Sequence, residues 1–461
     1  MTDIAFRSAT EIAGMLVRRE ISSVELTQLQ LDRIAAINPA INGVVELNPD
    51  AALAAAATAD LAIAGGDKLG PLHGIPMTVK DSFDVAGLHT TWGNPAFRDY
   101  IPGTDSTVVG RLKQAGAIVI GKTNVHFMLS DFGQTANELY GVTNNPWDST
   151  RTPGGSSGGG AAALAAGLTF LEYGSDLAGS IRIPASFCGV YGIKPTAGIV
   201  PLTGFAVPYT PPGPRSMTYL SAVGPLARSV ADLRTALLAT AGPEQADANG
   251  YSWSLAPPRQ RRLQDFRVGV VLDNSAAPVS SEVVAALTNA VEALAAAGAT
   301  IVEGWPEGVD PQQQSGSFGF QVGLFFAFQE GGSDFATLTE VVEQEAKRMV
   351  ARQAWDDYFR GVDVFLCPSN FTPAFPHDTR PFPERTVSTP EGDRPYDSQP
   401  FWISHASLAG LPAVIAPVGS TAAGLPVGAQ IIGPRFEDDT AMTFAELLAD
   451  VVGGYLRPPL S

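Results

Sequence analysis

Residues 151–163 read RTPGGSSGGGAAA, and within them five glycines and two serines fill the seven positions 154–160. Taken alone, this composition describes a flexible Gly/Ser linker between folded units. The run passes straight into alanines, however, and a glycine-rich turn that opens a helix is a different object. There the backbone N–H groups point outward at a ligand or an anion. Deciding between the two readings depends on whether one continuous fold surrounds the run.

The flanking sequence has the character of such a fold. GIPMTVKD (74–81) places a short buried strand at 75–79 ahead of polar Lys80, Asp81 and Ser82. DSTVVGRLKQAGAIVIGKTN (105–124) reads as a helix, Gly116 and a strand at 117–120. FRVGVVLD (266–273), SEVVAALTNAVEALAAAGATIVEG (281–304) and VDVFLCP (362–368) repeat the strand–helix–strand alternation, and two apolar runs follow at 410–419 and 424–434. Alternation of this kind predicts an α/β fold, a large mixed and mostly parallel central sheet covered by helices on both faces. The run at 154–160 then lies inside the sheet's span, and the linker reading loses ground.

Ahead of this region, Ser8 with Glu11 and Ser22 with Glu25 have capping-box spacing. The second box opens a helix that should stop at Asn38-Pro39, where proline blocks continuation. An alanine-rich helix follows at 50–64, and residues 369–400, rich in Pro, Asp and Arg, predict a long surface excursion.

The chain has 461 residues, 45% apolar and 16% charged, with a net charge of −17. That supports a large buried core and argues against an extended surface for nucleic acid. The two cysteines, Cys188 and Cys367, are too few for a disulfide framework or a four-cysteine zinc site. The start lacks the pattern of a secretory signal and no apolar run reaches the length of a membrane helix, so a soluble cytoplasmic protein is expected. A literal phosphate-loop pattern, Gly116 to Thr123, fails on context. Its four variable residues are Ala-Ile-Val-Ile, which belong in a strand and do not wrap phosphate.

YGSDLAGSIRIPASFCG (173–189) sets Ser175 and Ser180 around Asp176 with glycines at 174 and 179. A serine in such a turn can expose its hydroxyl among free backbone N–H groups. It also needs a base. None of the five histidines sits in a catalytic pattern, and His405 reads as structural. Lys80, leaving a short apolar strand, is the other base, because burial moves a lysine toward neutrality.

GIPMTVKD, TPGGSSGG and GSDLAGSIRIPA, in this order, resemble the three signature segments of the amidase signature family, as do the flanking GKTN, CGVYGIKPT and GLPAVIAPVG. The resemblance implies one domain over 1–461, with an N-terminal helical layer (1–65), a signature core (70–200), a variable substrate-side region (205–360) and a C-terminal return to the sheet (362–461). It implies a Ser–cis-Ser–Lys triad of Ser180 as nucleophile, Ser156 as relay at a cis peptide and Lys80 as base. The backbone N–H groups of Leu177, Ala178, Gly179 and Ser180 would form the oxyanion hole, with Asp176 and Arg182 supporting the loop. Leu177-Ala178 departs from the paired glycines common in the family, so Ala178 must tolerate the backbone angle there. Cys188 is expected only to pack.

The implied reaction is hydrolysis of a small hydrophobic or aryl amide through an acyl-enzyme, with carbamate and ester cleavage as the alternative and no metal or organic cofactor. Met128, Leu129 and Phe132 are the expected pocket residues. The segments 204–219 and 323–329 are candidates for the entrance. The family also contains A-type subunits of glutamine-dependent tRNA amidotransferases, which commonly read SIRQPA where this chain has Ser180-Ile-Arg-Ile183-Pro-Ala. That difference favours a stand-alone hydrolase with a small-molecule partner and neither nucleic acid nor membrane. Dimerisation is frequent in the family.

Overall fold

A computed structural model of the chain describes residues 4–210, 220–244, 246–329 and 334–460. Both N-terminal capping boxes form, Ser8 opening α1 (Ala9–Val17) and Ser22 opening α2 (Ser23–Ile41). Contrary to the predicted stop, α2 carries Pro39 inside its last turn. Burial of Ile41, and an Asn42 cap at φ 56° whose N–H returns to the Asn38 carbonyl, carry the helix past the proline. α3 (Pro49–Gly65) starts on an Asn48 cap with proline at its first turn.

The chain then threads one sheet. Its strands begin with β1 (Val44–Leu47), β2 (Pro76–Lys80) and β3 (Ile118–Thr123). A short pair, β4 (Ala136–Asn137) with β5 (Gly141–Val142), stands apart. The sheet resumes with β6 (Glu172–Asp176), β7 (Tyr191–Lys194), β8 (Ala222–Ala227), β9 (Arg267–Val270), β10 (Thr300–Glu303) and β11 (Val364–Pro368). After a separate hairpin, β12 (Thr386–Thr389) and β13 (Gly392–Pro395), it closes with β14 (Ala413–Ser420) and β15 (Pro426–Ile432). The eleven strands lie in the order β1-β3-β2-β6-β8-β7-β14-β15-β11-β9-β10.

The sheet is mixed, but its balance differs from the expectation of mostly parallel strands. Four pairings are parallel, β2 with β3 and β6, and β9 with β10 and β11. The six others are antiparallel, because strands such as β14 and β15 return through a tight hairpin without the crossover helix that parallel neighbours need. β1 lies outside the predicted strands and pairs with β3 at the sheet edge. Gly121, Lys122 and Thr123 lie within β3, so the phosphate-loop pattern is a strand.

Helices α4 (Thr107–Gln114), α5 (Gly158–Ala165), α6 (Arg182–Cys188), α7 (Val230–Thr240), α8 (Ser281–Ala296), α9 (Pro311–Gln329), α10 (Leu338–Tyr358), α11 (Phe401–Ala409) and α12 (Asp438–Val452) cover the sheet. Alternation along β2 divides the two faces. Met77 and Val79 enter the large core, while Thr78 and Lys80 turn toward Glu172 and the α5 end of the other face. Among the described residues no helix is long and apolar enough to cross a membrane.

The glycine run is packed on every side. All eight residues of α5 are buried. A methyl group at Gly155 would lie 2.0 Å from the Gln134 carbonyl oxygen, and one at Gly160 would lie 2.5 Å from Glu172 Cγ. Residues 369–400 are likewise more than a surface excursion, since 369–375 are buried beside the sheet and the exposed part is the stretch 379–384 with the β12–β13 hairpin. Gly155→Ala should lower stability by about 1–3 kcal/mol, the range for overpacking. Gly110→Ala, in α4 with nothing within 4 Å, should raise it by roughly 0.5–1 kcal/mol. Urea unfolding midpoints of the two variants check both signs.

Candidate active site

β2 delivers Lys80 fully buried to the sheet interior. Its Nζ donates to Ser156 Oγ at 2.8 Å and to Ser175 Oγ at 2.9 Å. Burial pushes this amine down to about 7, against the pull of the Asp176 and Glu172 carboxylates. Glu172 accepts from Thr78 Oγ1 at 2.5 Å and Thr123 Oγ1 at 2.9 Å, so it pins β6 to β2 and β3. Desolvation holds its carboxyl up at about 8.

Ser156 follows a cis peptide, Gly155–Ser156. Its loop is fastened at each step. Thr152 Oγ1 donates to the Gly133 carbonyl, Gly155 N–H to the Phe132 carbonyl and Thr135 Oγ1 to the Gly154 carbonyl. Gly158 N–H then donates to Thr135 Oγ1, and Ser157 N–H to the Ser180 carbonyl at 3.2 Å. The second bond ties the serine loop directly to the turn that carries Ser180.

That turn is organised by Asp176 at the end of β6. Its carboxylate accepts from Gly179 N–H at 2.9 Å, Ile181 N–H at 3.2 Å and Arg182 N–H at 3.3 Å. It also accepts from Arg182 Nε and Nη2 at 2.9 and 2.8 Å. The Arg182 guanidinium holds the carboxyl down at about 2, against its complete burial. Arg182 spends its remaining donors on the Ile403 carbonyl, Gln430 Oε1 and Ser407 Oγ. Gly179 adopts φ 92°, whereas Ala178 is not among the residues with positive φ, so its methyl group meets no backbone penalty.

One expectation about this turn is corrected. The Gly179 N–H is committed to Asp176 and is not free for an oxyanion, while Leu177, Ala178 and Ser180 line the cavity. Ser175, the second acceptor of Lys80, stands out in the sequence only as a neighbour of Asp176. Its place on β6 beside β2 is the signal that could have found it.

Ser180 forms part of the wall of a cavity of about 550 Å³. Leu129 and Phe132 line it as expected. Met128 does not, because its sulfur turns to Asn94 Nδ2 at 3.3 Å. The segment 323–329 contributes Phe326. Of 204–219, Phe205 is core, 5.3 Å from both Phe83 and Trp92, and residues 211–219 lie outside the described residues. Sequence reasoning missed the far wall, built by Phe318 and Val322 of α9 with Phe382 and Phe401. Cys188 is buried behind the serine loop with its thiol pushed up by desolvation. His405 is buried, held down at about 3, and shares Gln314 with Trp355.

A mixed α/β sheet carrying a buried Lys–Ser pair and a carboxylate-organised serine turn, beneath one apolar cavity, defines a class. The Amidase family model matches residues 25–314 and 309–442, and the chain belongs to the amidase signature family. Curated relatives include the A-type subunit of Glutamyl-tRNA(Gln) amidotransferase from Thermosynechococcus vestitus, 35% identical over 93% of this chain and 95% of its own. The Salinispora tropica protein of the same name is 34% identical over the whole of both chains. Among solved structures, one described as "Crystal structure of amidase" is 29% identical, with a TM-score of 0.81 over 97% of this chain and 100% of its own. Another, described as "An unexpected vestigial protein complex reveals the evolutionary origins of an s-triazine catabolic enzyme", is 28% identical, with a TM-score of 0.83 over 98% and 100%.

Removing Arg182 strands a buried carboxylate. Arg182→Ala should cost about 3–5 kcal/mol of stability, the range for breaking a buried pair from one side. Arg182→Lys should recover only part of it, since an ammonium cannot reproduce the bidentate fork. Chemical denaturation of the two variants tests this order.

Proposed function

We propose that the chain is an amide hydrolase that forms an acyl-enzyme on Ser180 and acts on a small hydrophobic or aryl amide. The observation that carries this reading is the buried Lys80–Ser156 hydrogen bond beneath a cavity whose wall includes Ser180 and, among the described residues, no basic side chain.

In this mechanism the neutral Lys80 amine is the base. Ser180 Oγ bonds to the carbonyl carbon while its proton passes to Ser156 Oγ and the Ser156 proton passes to Lys80 Nζ. The developing oxyanion takes N–H bonds from Leu177, Ala178 and Ser180, each such donor typically contributing ~3–4 kcal/mol in the transition state. Lys80 then returns its proton through Ser156 to the leaving nitrogen, and the C–N bond breaks. Water repeats the relay, bonds to the acyl carbon and frees Ser180. Histidine is not needed, and carbamates and esters present the same carbonyl to the same groups. Asp176 and Arg182 hold the turn and do not react.

The names of the curated relatives favour a second reading, an A-type subunit that releases ammonia from glutamine within a complex. The cavity argues against it. Free glutamine carries an α-carboxylate, and among the described residues the lining offers it no lysine or arginine.

A matched series sharing one acyl group (anilide, primary amide, ester and carbamate) tests the proposal. Turnover of at least one member, lost in Ser180→Ala, is the expected result. Turnover of glutamine alone would favour the second reading, and turnover surviving in Ser180→Ala would remove Ser180 as nucleophile. The pH dependence carries an independent sign. Only the unprotonated amine accepts a proton, so kcat/KM should rise with pH, reach half its plateau near about 7 and fall away on the acid side.

A further inference from the structure

The cavity wall is aromatic on several sides but is not uncharged. Among the described residues two carboxylates line it, Asp131 and Asp397, and no lysine, arginine or histidine does. Their situations differ. Asp131 is buried and fully engaged, accepting from Arg385 Nη1 at 2.6 Å, Tyr396 O–H at 2.7 Å and Gly133 N–H at 2.8 Å. Asp397 sits exposed on the short turn Tyr396–Ser398, and among the described residues it enters no hydrogen bond or ion pair. The chain therefore places an unneutralised carboxylate at the mouth of a cavity lined by Phe132, Phe318, Phe326, Phe382 and Phe401.

Aromatic faces and a carboxylate attract the same kind of group. The ring quadrupole draws a cation over the π face, most strongly for quaternary ammonium groups, which lose little hydration on entering. The carboxylate adds a Coulombic attraction of the same sign. Phe132 and Phe382 meet edge to face at 5.9 Å and both pack on Tyr396, and the Arg385 guanidinium lies 5.9 Å from the Phe382 centroid, so one ring of this wall already holds a cation.

Resting on the amidase reading above, we infer that the preferred substrates are amides carrying a cationic group, a quaternary or primary ammonium, remote from the scissile carbonyl, and that Asp397 is the residue that selects for it. The apolar body of the substrate lies along the phenylalanines and the positive end meets Asp397 at the mouth. An anionic acid is excluded by the same two features.

The test uses 4-nitroanilides of ω-trimethylammonio acids with three to six methylenes, each paired with its neutral tert-butyl isostere. Read as a kcat/KM ratio within each enzyme, the cation should be preferred by roughly three- to five-fold at one chain length, the upper range for a partly exposed charge pair. The ratio should fall toward unity in Asp397→Asn, survive in Asp397→Glu, and shrink as salt is raised. Because the neutral isostere is read on the same protein, a variant that folds poorly lowers both members and leaves the ratio intact. Calorimetric binding of the same pairs to Ser180→Ala protein gives a second ratio that needs no turnover. Absence of hydrolysis with a clear binding preference would overturn the amidase reading and keep the cation site. No preference at any length, or one that persists in Asp397→Asn, would overturn the inference and assign any cation effect to the overall net charge of −17.

Discussion

A carboxylate that gathers five N–H bonds at the end of a strand is the interaction on which the rest of this site depends. Asp176 bends residues 177–182 into the turn that exposes Ser180, and its partner Arg182 reaches across to α11 and β15. The two ends of that bridge are more than two hundred residues apart in the chain. The Ser180 turn and the C-terminal part of the sheet are therefore joined through one side chain. Neither charge is tolerable in the interior without the other, and their hydrogen bonds leave no donor of Arg182 to relocate. The same carboxylate lies close enough to Lys80 to act on its amine, pulling it up against the burial that pushes it down.

Lys80 occupies the opposite electrostatic regime. No carboxylate pairs with it directly, its two partners are hydroxyls, and desolvation prevails. Two buried basic side chains thus stand in different surroundings. Arg182 lies bidentate on a carboxylate, whereas Lys80 lies between two serine hydroxyls and burial lowers its amine to about 7.

What could be read from the sequence was local in origin. Capping boxes, a lysine at the end of an apolar strand, and serines within glycine-rich turns all declare themselves within a dozen residues. The structure brings Lys80 and Ser156 together as that reading expected. What could not be read was set by partners distant in sequence or by side chains folding back. The Gly179 amide is unavailable because a side chain three residues earlier folds back onto it. Met128 turns away because Asn94 stands on the other side. The far wall of the cavity comes from α9 and from residues beyond 380, whose phenylalanines carry no periodic signal that distinguishes a lining ring from a core ring. The strand balance escaped for a similar reason, since alternation of strand and helix along the chain does not report which neighbour each strand acquires.

The engaged carboxylate of Asp131 has a consequence that reaches past this chain. It ties the loop after β3 to the hairpin excursion through Arg385 and Tyr396, and the Ser156 loop hangs from the same stretch through its bonds to Phe132, Gly133 and Thr135. Cavity wall and serine loop thus share one support. A lineage that exchanges the excursion or repaints the rings must also refit that loop. Relatives similar over nearly their whole length can in this way bear names for quite different work.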